Sequence, residues 1–189
     1  MPPADASIRS LLLTTAAGHL LLPKTVVAEI LPYAAPARPP QPCPQWLLGS
    51  VDWRGHGIPL ICIGRLLDAP LATAAEPVCN VVLKALGRQP AFTGYAIAVG
   101  TMPRSIKVRE RSLAVGQEPA GWHPAMSCRL RVLDEPAWVP NLDYLERQLS
   151  RALAGSAATA APVHVRSSAA DAATGGHAEE HSGGYRPCR

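Results

Sequence analysis

The chain predicts an all-β fold, and three observations carry the prediction. Its apolar runs are short and closely spaced, Gly and Pro stand between most of them, and a single segment holds a helical period. Many short strands separated by turn residues close into a barrel or a sandwich, whereas α/β sheets alternate strands with helices. At 189 residues the chain is long enough for one well-buried core, or for two small lobes sharing one.

Residues 8–15 and 19–22 read as two strands joined by the turn Ala16-Ala17-Gly18. A strand over 24–31 follows, with Val26, Val27, Ile30 and Leu31 apolar and Glu29 exposed. Pro32 to Pro44 holds six prolines, which cannot donate to a ladder and so favour an extended loop. Next comes a hairpin: Leu47 to Val51 leads into an Arg-Gly turn, and Ile58 to Ile63 leaves it. Further strands are expected at 78–86 and 92–99, at Ser105 to Arg109, and in a last hairpin from Cys128 through Asp-Glu-Pro to Trp138-Val139. The one helix is expected at 142–154. Leu142, Leu145, Leu149 and Leu153 share a face, Glu146, Arg147 and Arg151 line the other, Asn141 caps the start and Gly155 the stop. Past Gly155 the chain turns to Ala, Ser, Gly and Thr without periodicity, so 155–189 is expected to be a disordered tail. A weak internal echo relates Gly57-Ile58-Pro59-Leu60 and its following leucines to Trp138-Val139-Pro140-Asn141-Leu142 and the leucines after it.

Residues 1–150 hold 14 basic and 11 acidic side chains, and the whole chain carries +4, too mild a surplus to imply nucleic acid. Cysteines at 43, 62, 79, 128 and 188 form neither a Cys-x-x-Cys pair nor a disulfide framework. No stretch has the length of a membrane span, and Pro2, Pro3 and Asp5 do not open a signal peptide. A reducing cytoplasmic setting is expected.

Catalytic chemistry finds little to build on. His19, His56 and His123 have no nucleophile and acid supplied by local spacing, and no Gly-x-Ser-x-Gly elbow is present. His177 and His181 stand four apart, but among glycines in the tail. No catalytic residue, metal or cofactor is expected. The basic run Arg104 to Arg111 could contact phosphates, but no aromatic lies inside it for base stacking, and a solvated strand face accounts for it.

The most informative segment is the hairpin tip, where Trp53 and Arg54 sit beside Gly55 and Gly57. Both glycines are expected to take positive φ and let the chain reverse. A guanidinium on a rigid turn suits recognition of a partner's carboxylates or carbonyls, although exposed turn arginines are also ordinary solvated residues.

In its context this hairpin resembles the CheW-like adaptor domain of bacterial chemosensory arrays. That family's pattern is an N-terminal strand pair, a strand ending Val-x-Glu-Ile/Val-Leu and a proline-rich loop. Trp/Val-Leu-Gly, four residues, Arg-Gly, two residues and Ile/Val-Pro-Val/Leu follow. Here the pieces stand as Val27-Ala28-Glu29-Ile30-Leu31, Pro36 to Pro44, and Trp46-Leu47-Leu48-Gly49 through Arg54-Gly55 to Ile58-Pro59-Leu60. The resemblance covers most of 8–150, and strongly only these 45 or so residues.

It implies two small intertwined SH3-like β-barrel lobes sharing a core, over 8–154, with a flexible stretch at 1–7. It also implies no enzymatic activity. The implied partners are a chemoreceptor's cytoplasmic tip, a CheA-type histidine kinase and other CheW-like domains in array rings, with no nucleic acid and no membrane insertion. Arg54, Gly55 and Trp53, with Val27, Glu29 and Ile30 of the preceding strand, are the partner-binding residues it nominates. Cys62 and Gly100 stand where the family commonly has Asp, a departure that places the chain among divergent members, with a pilus-linked twitching-motility system as the guess. Two rival readings come from the residues: a nucleic-acid-binding barrel, from the basic run, and a peptide-binding barrel outside chemosensing.

Overall fold

A computed structural model describes residues 7–38, 43–69, 76–87, 92–109, 114–115, 123–132 and 134–159. In chain order the strands are β1 (Ser7–Thr15), β2 (Gly18–Pro23), β3 (Val27–Pro32), β4 (Leu47–Trp53), β5 (His56–Ile61) and β6 (Cys79–Lys84). They continue as β7 (Gly94–Val99), β8 (Arg104–Arg109), β9 (Ala114–Val115), β10 (Met126–Val132) and β11 (Glu135–Pro140). A single α turn, α1 (Ile63–Leu66), follows β5, and a long helix, α2 (Leu142–Thr159), follows β11.

The strands form two sheets, ordered β8-β1-β2-β11-β10-β9 and β3-β6-β7-β5-β4. Apart from the short β9, the two repeat one pattern. The hairpin β1–β2 corresponds to β6–β7; β11 joins β2 in parallel as β5 joins β7; and β10 pairs with β11 as β4 pairs with β5. The remaining strand of each sheet is exchanged. β3 follows β2 but pairs with β6, and β8 follows β7 but pairs with β1. This exchange intertwines the two lobes, as the all-β reading expects.

Both faces of the central strands are buried, which is why they read as continuous apolar runs and not as alternation. Leu11, Leu13, Leu20 and Leu22 point into a core shared with Leu47, Ile61, Val81, Leu83 and Ile97 of the other sheet and Leu145 and Leu149 of α2. Their neighbours Leu12 and Leu21 fill a second cluster with Val108, Leu130, Val132 and Ala137 inside the first lobe. Val51, Ile58, Leu60, Val82 and Ala96 fill a third inside the other. Each fully buried Leu or Ile contributes roughly 1.5–3 kcal/mol.

Several expected boundaries are corrected. Lys24–Val26 form a 3-10 turn and not the start of a strand, because the chain must pass there from one sheet to the other. β5 stops at Ile61, and Ile63 opens α1, whose Gly64 lies so close to Ala16 that a Cβ would clash. Gly155 does not stop α2. The helix continues to Thr159, since the roughly 1 kcal/mol cost of one helical Gly is met among strong helix formers such as Ala152 and Ala154. Asn141 does cap the helix, its Oδ1 accepting from Tyr144 N–H at 3.0 Å.

Glu146 is not on the solvent face. It is 1% exposed and accepts from the backbone N–H groups of Leu86 at 2.6 Å and Gly87 at 2.7 Å. Its position four residues after Leu142 places it at the margin of the apolar stripe. The sequence echo is real in topology but shifted in register. Cys62 and Asn141 precede the two helices, so Pro59 corresponds to Trp138 and not to Pro140. Residues 160–189, including His177 and His181, lie outside the described residues, as do residues 1–6.

Candidate functional site

The β4–β5 hairpin turns on two residues, Arg54 and Gly55, with φ of 57° and 79°. Positive φ at both central positions is the two-residue turn whose twist matches that of the flanking strands. The second positive φ therefore belongs to Arg54, not to Gly57, which lies inside β5. For an arginine this conformation costs on the order of 1 kcal/mol. The turn is braced by Gly55 N–H to Asp52 Oδ1 at 3.4 Å and by a hydrogen bond between His56 Nδ1 and Arg54 O at 3.0 Å.

A carboxylate from another strand meets this tip. Glu29 Oε2 accepts from Trp53 Nε1 at 2.8 Å, from Arg54 Nη2 at 3.1 Å and from Arg54 Nε at 3.2 Å. The guanidinium carbon also lies 5.1 Å from the centroid of the Trp53 ring, within cation–π range. β3 and β4 are the two edge strands of their sheet, so this cluster ties one edge to the other and closes the lobe. The Trp53 hydrogen bond first, and then the Arg54 charge and hydrogen bond, hold the Glu29 carboxyl below its ordinary range despite some desolvation. Arg54 nevertheless keeps 70% of its side chain exposed. It is an oriented cation offered to solvent.

The nominated strand residues separate. A bulge between Val27 and Glu29 shifts the ladder, so Glu29 pairs with Val82 and stands on the face that carries Trp53. Val27 and Ile30 point the other way and pack, half-buried, against the shared core. The structure thus brings together Glu29, Trp53, Arg54 and Gly55, and leaves Val27 and Ile30 behind the strand.

Sequence reasoning missed Asp52 and His56 as braces of the turn. It also missed a cleft of about 610 Å³ at the junction of the lobes, lined by Thr14, Tyr33, Cys62, Arg65 and Gly100 among others. Five separated segments build that cleft, so no local spacing announces it. Tyr33 directly follows β3, which runs from the Glu29 cluster toward the cleft. Among the histidines, His19 meets Thr14 Oγ1 at 3.3 Å and Glu135 at 3.7 Å, and Glu135 also holds Arg104 at 2.8 Å. His123 Nδ1 accepts from Ala125 N–H. Cys43, Cys62, Cys79 and Cys128 are free thiols, and burial pushes those of Cys79 and Cys128 up.

Two intertwined β lobes with an oriented, solvent-facing cation at a rigid turn describe a scaffold for protein contacts. The chain belongs to the CheW-like domain family, whose model matches residues 9–126, more than half of its length. That family is one of non-catalytic scaffolds that couple receptors to CheA. The crystal structure of the scaffolding protein TtCheW from Thermoanaerobacter tengcongensis is similar in fold, with a TM-score of 0.57 at 13% identity, over 72% of this chain and 90% of that one. No curated protein matches the chain. β10, β11 and α2 extend past the matched residues yet complete the same sheet and core. The rival nucleic-acid-binding reading finds no support in these matches. No helix among the described residues is long and apolar enough to cross a membrane.

Proposed function

We propose that the protein is a non-catalytic adaptor that couples a chemoreceptor's cytoplasmic tip to a CheA-type histidine kinase, in a chemotaxis or twitching-motility pathway, and that Arg54 is its receptor-side anchor. The observation that supports this most is the strained, exposed Arg54, fixed by Glu29 and Trp53 in a chain of the CheW-like family. Strain at a non-Gly residue persists where surrounding contacts over-determine it, and it concentrates at functional sites. A guanidinium held by one carboxylate oxygen keeps further donors for a partner, because it carries five N–H groups in a fixed fork. Gly55 and Trp53 shape that tip. Val27 and Ile30 enter this reading as supports beneath Glu29, and the kinase and other CheW-like domains take other surfaces.

Affinity capture of a receptor-tip fragment from the same cell tests the proposal. Arg54→Ala should weaken capture by about thirtyfold, the equivalent of losing roughly 2 kcal/mol at a central arginine anchor. The variant should fold normally, because alanine inherits the same backbone strain. Undiminished capture by a variant that melts like the wild type would remove Arg54 from the interface.

A further inference from the structure

A different face carries charges that the receptor reading does not use. In the ladder between β1 and β8, Arg9 stands directly opposite Lys107. Both are exposed, and among the described residues neither has an ion pair or a hydrogen bond. Residues opposed in an antiparallel pair have Cβ atoms only ~4.5–5.5 Å apart, and like charges there are destabilising. Arg109 lies one diagonal step away on the same face, opposite Ser7, and the exposed Ser105 flanks Lys107 on the other side.

A lysine on an edge strand is a common guard against unwanted strand pairing, which would account for Lys107 alone. It does not account for Arg9, since β1 is an interior strand between β8 and β2. Nor is the repulsion relieved from within the sheet. Its acidic residue Glu135 binds Arg104, which pairs with Leu12 on the opposite face.

We infer that the face bearing Arg9 and Lys107 docks an acidic polypeptide segment of a partner protein. Carboxylates seated there would convert the repulsive pair into two charge-assisted contacts, with the arginine fork taking one of them bidentately. Ser7 and Ser105 add hydroxyl donors at the margins. A membrane fits less well, because two or three cations need an apolar anchor, and the exposed Ile8 alternates onto the other face of its strand. Single-stranded nucleic acid fits less well too, since no aromatic residue of β1 or β8 offers a stacking platform. The surface lies on the six-stranded sheet, while Arg54 belongs to the other, so the inference stands whether or not the receptor reading does.

The test measures fluorescence anisotropy of a labelled dodecapeptide of alternating glutamate and serine, titrated with the full chain. Lys107→Glu should weaken binding by about tenfold or more. The same substitution should raise the melting temperature by about 1–3 °C, because Arg9 would then face a carboxylate. The milder double variant Arg9→Gln, Lys107→Gln should also lose binding. Arg147→Gln with Arg151→Gln, two exposed cations of α2, removes the same net charge elsewhere and should leave binding within about twofold. Equal losses in the α2 control would reduce the effect to net charge and overturn the inference. So would unaltered binding in both patch variants, a lower melting temperature for Lys107→Glu, or tighter binding to phosphatidylserine vesicles or a single-stranded oligonucleotide than to the peptide.

Discussion

Arg54 holds a left-handed backbone conformation that its side chain disfavours, in a turn type that prefers Asn or Gly at that position. Its exposed ion pair with Glu29 contributes little to stability, as such pairs are screened by water. Strain and stability therefore point in opposite directions at this one residue. Arg54→Asn should relieve the backbone by about 1 kcal/mol and raise the melting temperature by about 2–4 °C, while receptor-tip capture falls. A variant that melts well below the wild type would show that the Glu29 contact, and not the turn, governs this tip. The sequence made Arg54 legible through the Arg-Gly turn between apolar strands. It could not show which residue carries the positive φ, since Gly57 offers the same freedom as Gly55 and only strand register separates them. Nor could it separate Glu29 from Val27 and Ile30, because the bulge that does so is a property of the pairing with β6.

At the scale of elements, the proline-rich segment after β3 does more than connect. Ala37 exchanges both backbone hydrogen bonds with Ser50, at 2.8 and 2.9 Å, and so covers part of the outer edge of β4. An exposed strand edge invites pairing with other chains, and a loop laid over it is one remedy. The strap approaches closely because residue 49 is glycine. Its φ is 140°, and a Cβ there would fall well inside contact distance of the Ala37 carbonyl oxygen. Gly49→Ala should therefore cost on the order of 2–3 kcal/mol in a denaturant titration and should speed amide exchange at Ser50, where the strap lifts. A variant as stable as the wild type would mean that the strap contributes no closing contact. Strand order and the helix were readable from apolar runs and the Asn141 cap. The 3-10 turn after Pro23 and the burial of Glu146 were not, because both answer to partners distant in sequence: the second sheet, and the N–H groups of Leu86 and Gly87.

For the molecule as a whole, the exchange of β3 and β8 decides how it unfolds. Each lobe borrows one strand from the chain segment that builds the other, and the largest apolar cluster draws on both sheets and on α2. Neither lobe can lose its structure without breaking a ladder and a core face of its neighbour, so the two should behave as one cooperative unit. Leu12 offers a test, because it lies in the cluster confined to the six-stranded sheet and touches neither the shared core nor the Arg54 lobe. Truncating a buried leucine costs about 2–5 kcal/mol. Two reporters are at hand: Trp138 on β11 in the same sheet, and Trp53 on β4 in the other. Single-tryptophan chains, each keeping one of these and carrying Phe at the other tryptophan positions, should give coincident thermal transitions by fluorescence. Leu12→Ala should lower both midpoints together, by roughly 5–15 °C. A Trp138 midpoint that falls while Trp53 stays where it was would mean that the exchanged strands do not couple the lobes. In that case the Arg54 tip would be insulated from the sheet that carries Arg9 and Lys107, and contacts made on one lobe could not be felt on the other.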